Sequence, residues 1–84
     1  MQHYYLCHFH VYRAGNMKSR PHIKPRYILA GNAQKAYEKA QEICSSTKLR
    51  NASDAIICRH KDVEQVYADS ARREISQNPT LLID

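Results

Sequence analysis

The stretch Lys18-Ser19-Arg20-Pro21-His22-Ile23-Lys24-Pro25-Arg26-Tyr27-Ile28-Leu29-Ala30 decides how this chain is read. Every even position from 18 to 26 is basic or histidine: Lys18, Arg20, His22, Lys24 and Arg26. Pro21 and Pro25 fix their own φ and push the residues before them out of helical geometry, so the stretch is expected to be extended. The same prolines have no N–H to give to a ladder, which confines the first part to an edge strand or a loop. Pairing should become regular toward Tyr27-Ile28-Leu29-Ala30. On an extended chain, residues two apart share a face about 6.6–6.8 Å apart. A flat stretch would therefore line up its cations at a spacing similar to that of phosphates along an extended single strand.

Upstream, residues 3–13 read His-Tyr-Tyr-Leu-Cys-His-Phe-His-Val-Tyr-Arg. Tyr5, Cys7, Phe9 and Val11 alternate with the amphipathic Tyr4, Leu6, His8, His10 and Tyr12. That period of two with aromatic enrichment predicts a half-buried strand. Ala14-Gly15-Asn16 then marks a turn or loop. An antiparallel pairing with Val11 facing Ile23 and Cys7 facing Tyr27 is expected. It would give the odd positions of both strands to the core. The other wall would carry Tyr4, His8, His10 and Tyr12 beside His22, Lys24 and Arg26. Rings among cations on an open sheet are a composition that stacks bases and holds phosphates.

Downstream, Gly31-Asn32 ends the strand and Asn32 is a good N-cap. Ala33, Ala36, Tyr37, Ala40, Ile43 and Cys44 form the stripe of an amphipathic helix. Residues 47–53 read as a polar loop. Ala55 to Arg59 reads as a short buried strand. Beyond it, Asp62-x-x-Gln65 fits a capping box, and Val63, Val66, Tyr67, Ala71 and Ile75 fit a helical stripe. We read a helix from Asp62 on; the alternative is a turn at His60-Lys61-Asp62 into a strand Val63–Ala68, with a helix only from Asp69. Asn78-Pro79 ends the helix in both readings, and Thr80–Ile83 is a short edge strand or a docked tail. The expected fold is α+β: one domain over residues 1–84, with a small antiparallel sheet of three to four strands and one or two helices packed on one face.

The charge is divided unevenly. Residues 1–37 hold six Lys/Arg and no Asp or Glu, while residues 38–84 hold seven Lys/Arg and eight Asp/Glu. The balance is +6 before Glu38 and −1 from it onward, giving the net +5. Such an asymmetry points to a dedicated electropositive surface. With 84 residues the chain can bury one modest core but not a deep substrate cavity. No apolar run approaches the roughly 20 residues of a membrane helix, and no signal-type segment opens the chain. Cys7, Cys44 and Cys58 form no CxxC pair. With no secretory signal they read as reduced thiols, and a cytoplasmic location is expected.

Metal and catalytic readings fare poorly. His8 and His10 share a strand face and Cys58 and His60 have the same spacing, which could supply four zinc ligands. That needs Cys58 on the open face, whereas its small apolar side chain belongs in the core with Ile56, so no metal or other cofactor is expected. Cys7 and His8 are neighbours on a strand, point to opposite faces and cannot act as nucleophile and base. No carboxylate precedes Glu38 to orient a histidine, and no glycine-rich phosphate loop is present. A non-enzymatic protein is expected, with a His-dependent nuclease or a His/Cys metal protein as the remaining alternative.

The layout of strand, basic extended segment, alanine-spaced helix and short strand resembles small phage-borne antidefence proteins, anti-CRISPR inhibitors among them. The resemblance is carried by Tyr27-Ile28-Leu29-Ala30-Gly31-Asn32-Ala33-Gln34-Lys35-Ala36, a strand running straight into the helix. It implies a compact stoichiometric inhibitor that acts by protein–protein contact on a nucleic-acid-handling complex, and it carries no functional residue across.

Taken residue by residue, Lys18, Arg20, Lys24 and Arg26 are expected to meet phosphate, with His22 among them. Tyr4, Tyr12, His8 and His10 would offer stacking or edge contacts, and Arg13 and Arg59 are further candidates. The expected partner is RNA, single-stranded DNA or a nucleic-acid-handling complex, with no membrane. An exposed edge strand would also permit a homodimer.

Overall fold

The alternation in residues 3–12 builds the centre of the molecule. The computed structural model describes residues 1–83. Strand β1 (His3–Tyr12) buries Tyr5, Cys7, Phe9 and Val11 and leaves the intervening residues half-buried. Strand β2 (His22–Ala30) pairs antiparallel along one edge of β1. Helix α1 (Ala33–Cys44) follows at once. Its cap is the expected Asn32, whose Oδ1 accepts the Lys35 N–H at 2.8 Å; such a cap is worth about 1 kcal/mol. The Ala36, Ala40 and Ile43 stripe packs onto the buried side of the sheet, with Phe9, Ile28 and Cys7 enclosed beneath. Burying a large apolar side chain such as Phe9 or Ile28 contributes about 1.5–3 kcal/mol each.

The other edge of β1 is completed in two pieces. Strand β3 (Ala55–Ile57) pairs with His10–Tyr12, and strand β4 (Val63–Gln65) pairs with Tyr5–Cys7. Between them, His60–Asp62 form a 3₁₀ turn. Asp62 secures this turn by accepting the Arg59 N–H at 2.9 Å. The helix expected from Asp62 therefore does not form: the turn and short strand of the alternative reading are present, and helix α2 spans Ala68–Gln77. The unpaired edge of β1 explains the outcome, because Val63–Gln65 gains a ladder there that a lone helical turn would not supply.

The fold class is α+β, as the sequence suggests. Among the described residues the sheet has five strands, and it is mixed rather than purely antiparallel. Strand β5 (Leu82–Ile83) pairs parallel with Tyr27 and Ile28 of β2. The two helices do not share one face. Arg72 of α2 lies over the Tyr4 ring, 5.8 Å from its centroid, and Tyr4 is on the side of β1 opposite the α1 core. No helix among the described residues is long and apolar enough to cross a membrane.

The β1–β2 register overturns the expected one. Phe9 faces Lys24, Cys7 faces Arg26 and Val11 faces His22. The even positions of β2 thus share a side with the odd positions of β1. A slip of one residue moves every side chain of a strand to the other face. The apolar end of β2 sets the choice. Ile28 and Ala30 are 1% exposed beneath the alanine stripe of α1, where small residues let helix and sheet approach. Tyr27 and Leu29 go to the opposite side and remain half-buried.

Candidate functional site

The register carries His22 and Lys24 to the α1 side of the sheet, but beyond the end of the helix. There the segment after α1 arches back over the strands and leaves an open cleft of about 700 Å³. Arg13, His22, Lys24, Lys48 and Arg50 line it, over an apolar floor that includes Val11 and Leu49. Asp54 is the one carboxylate among the lining residues. Four Lys/Arg against one carboxylate leave +3 with His22 neutral.

Each wall has a local cause. Lys24 is half-buried and donates from Nζ to the Leu49 carbonyl at 2.8 Å, in keeping with the amphipathic character of a lysine side chain. This bond and buried Leu49 fasten the loop to β2. Arg50 shapes the loop itself, donating from one terminal nitrogen to the carbonyls of Asn51, Ala52 and Asp54 at 3.0–3.2 Å. Its Nε is buried without a hydrogen-bond partner. Asp54 ties the two rims together: Oδ1 accepts the Ala14 N–H at 2.9 Å and Oδ2 the Asn51 N–H at 3.3 Å. The Ala14 bond is the main reason its carboxyl titrates below the usual carboxylate range, with smaller help from Asn51, Arg13 and Arg50. Asp54 is thus ionised and already engaged, and it removes only one charge from the cleft. To present that N–H, Ala14 adopts φ 50, a left-handed conformation rare for a residue with a Cβ.

Arg13, His22 and Lys24 are the sequence candidates brought together here. Lys18 and Arg20 fall in the exposed loop before β2, outside the strand alternation. Asn16 organises that loop: its Oδ1 accepts the Lys18 N–H, and its carbonyl accepts from Ser19. Arg26 is half-buried and turns its guanidinium back to the Pro25 carbonyl at 2.8 Å. Arg59 is exposed beside the 3₁₀ turn. Tyr4, His8, His10 and Tyr12 lie on the opposite side of the sheet. The expected wall of rings and cations is therefore not formed, because the register parts the two sets. Lys48 and Arg50 were missed in a segment read only as a polar loop. Two cations two apart, in a connection long enough to fold back, were the available signal.

The remaining chemistry-bearing groups are separated. His10 Nε2 lies 3.4 Å from Asp62 Oδ1. Burial raises the Asp62 carboxyl, but the Arg59 N–H and the His10 imidazole outweigh it and hold the group below its ordinary range. His60 stacks on Tyr37 of α1 with ring centroids 3.5 Å apart. Cys58 is buried in the α1 core with Cys7, where its hydrogen bond to Cys7 and then burial push its thiol strongly upward. Burial likewise raises Cys44 to about 11. These thiols are protonated packing groups at neutral pH.

No protein-family model, curated protein or solved structure matches this chain.

Proposed function

We propose that this is a non-enzymatic nucleic-acid-binding protein whose cleft holds the phosphate backbone. One observation carries the reading. The chain gathers Arg13, Lys24, Lys48 and Arg50 from three separate segments around one concavity, and the only carboxylate there is already occupied by backbone N–H groups. Bringing like charges together opposes folding unless a counter-charge is supplied, and a polyanion supplies it. Among the described residues neither ion pair involves a cleft cation: the pairs are His10–Asp62 and Arg72–Asp69.

Salt dependence tests this. Four phosphate contacts to a single strand give a slope of about −2.8 in log affinity against log salt. Affinity for an RNA or DNA oligonucleotide should then fall roughly fifty-fold between about 50 and 200 mM salt. No binding even at low salt would remove the proposal. Equal binding of polyglutamate with matched charge would replace nucleic acid by an acidic protein surface, which is how a protein-directed inhibitor would behave.

A further inference from the structure

We infer that the cleft takes an unpaired base together with the backbone, stacking it on His22, and so selects single strands over duplex. This rests on the nucleic-acid reading above and adds the class of strand that the same site accepts. A nucleotide offers a phosphate, the flat face of its base and the polar edge of that base. The lining holds a matching group for each.

His22 supplies the partner for the face. It opens β2 and lies opposite Val11 of β1, and both line the cleft. Val11 is buried in the floor, whereas His22 is exposed. Neither the ion pairs nor the Tyr37–His60 stack among the described residues involves His22. Histidine is one of the side chains on which the splayed bases of single strands stack. Asn51 suits the edge: it is exposed on the same lining, and its amide can both donate and accept. Its bonds to Arg50 and Asp54 are made by its backbone and leave the side chain to a ligand. Arg13 is exposed there too, and neither ion pair engages its guanidinium, so both prongs can close on a phosphate. A phosphorylated protein would use the cations and leave the ring and the amide idle.

Shape argues against the paired form. The opening of about 700 Å³ is in the range of pockets that take one small organic molecule, not a double helix. Duplex DNA is read the other way round, by a helix or ribbon that enters one of its grooves. Two of the cations are also recessed. Lys24 and Arg50 are half-buried, and each is tied to carbonyls of the arching loop. A backbone must enter the concavity to reach them, and it carries its bases in with it. In a duplex those bases are already paired and stacked, so His22 would have no face to hold.

Fluorescence anisotropy at low salt tests this with three probes of about 12 nucleotides. One is oligothymidylate. The second has the same backbone with every base replaced by hydrogen, the abasic tetrahydrofuran form. The third is thymidylate paired with oligoadenylate. One stacked base strengthens binding about fivefold or more. The intact protein should prefer thymidylate to the abasic strand by at least that factor and bind the duplex more weakly than thymidylate. H22A should lose the preference while still binding the abasic strand, and H22F, which restores a ring, should regain it. A change of charge at position 22 acts on both single strands alike, so their ratio reports the ring. R13A/K48A should weaken both strands and keep the ratio. Equal affinity of the intact protein for thymidylate and the abasic strand overturns the inference and leaves the nucleic-acid reading standing. So does a preference that persists in H22A, or a duplex bound as tightly as thymidylate. Binding of none of the three removes both readings.

Discussion

The two halves of β2 lie on one side of one sheet and behave oppositely. At the C-terminal half, Ile28 and Ala30 sit sealed beneath the alanine stripe of α1. At the N-terminal half, the same alternation presents His22 and Lys24 to an open cleft. The strand geometry is shared; the cover differs. A helix brings an apolar stripe and excludes water, whereas the loop of residues 45–54 offers carbonyls and further cations. Stability is thus concentrated at one end of the strand and charge at the other.

The largest separation of the two halves should come from I28A. It removes buried volume that the helix cannot refill, and should cost about 2–5 kcal/mol in denaturant unfolding. K24M, on the same face, should cost less, about 1.5 kcal/mol, the low end for a charged bond such as that to Leu49, because its donor is only half-buried. An equal loss for both would show that the cleft half is as tightly structured as the core half. Next in size is R13A/K48A. With two contacts gone, the salt-dependent loss of oligonucleotide affinity over about 50–200 mM should shrink from roughly fifty-fold to roughly sevenfold. Its unfolding midpoint should stay close to that of the parent.

A14G should act in the other direction. Glycine takes the left-handed conformation without the Cβ clash, so folding should gain about 1 kcal/mol in thermal or chemical melts. A loss would mean that the Ala14 side chain contributes packing which outweighs the strain. Acid should act through Asp54 and Asp62, both held below their ordinary values. A carboxylate with a depressed folded-state value stabilises above the unfolded value, near pH 4. That contribution fades as pH falls through the folded value, so melting between about pH 5 and 2 should show a decline that D54N diminishes. The smallest effect should be that of Y12A on oligonucleotide affinity, which should stay within about twofold. A fivefold loss, the worth of a stacked base, would return the binding surface to the opposite face.

Much of the fold was legible because local chemistry specified it. The alternation of residues 3–12, the Asn32 cap and the stripe from Ala33 to Cys44 each name their own structure. The register was not legible. Tyr27-Ile28-Leu29-Ala30 is apolar on both sides, so it does not say which side is inward, and the polar alternation ahead of it favoured the wrong answer. What decides is which pair the alanine stripe of α1 covers, Ile28 and Ala30 rather than Tyr27 and Leu29, a tertiary fact. The site divided accordingly. Arg13, His22 and Lys24 were recognisable as cations in an extended region, but Lys48 and Arg50 join them only because a loop folds back. The Asp62 turn was misread because a capping box and a turn that caps a strand begin with the same residues.

Strand β1 bonds to three others, yet two of them are drawn from residues 55–65. During synthesis β1 emerges before its partners, and β2 follows after nine residues. Its second edge stays bare until residues 55–65 have been made. A nascent or truncated chain ending near residue 50 would display an aromatic strand with unpaired N–H and C=O groups, a template for pairing with other chains. Residues 55–65 therefore cover hydrogen-bonding groups of β1 that would otherwise stay open to another chain.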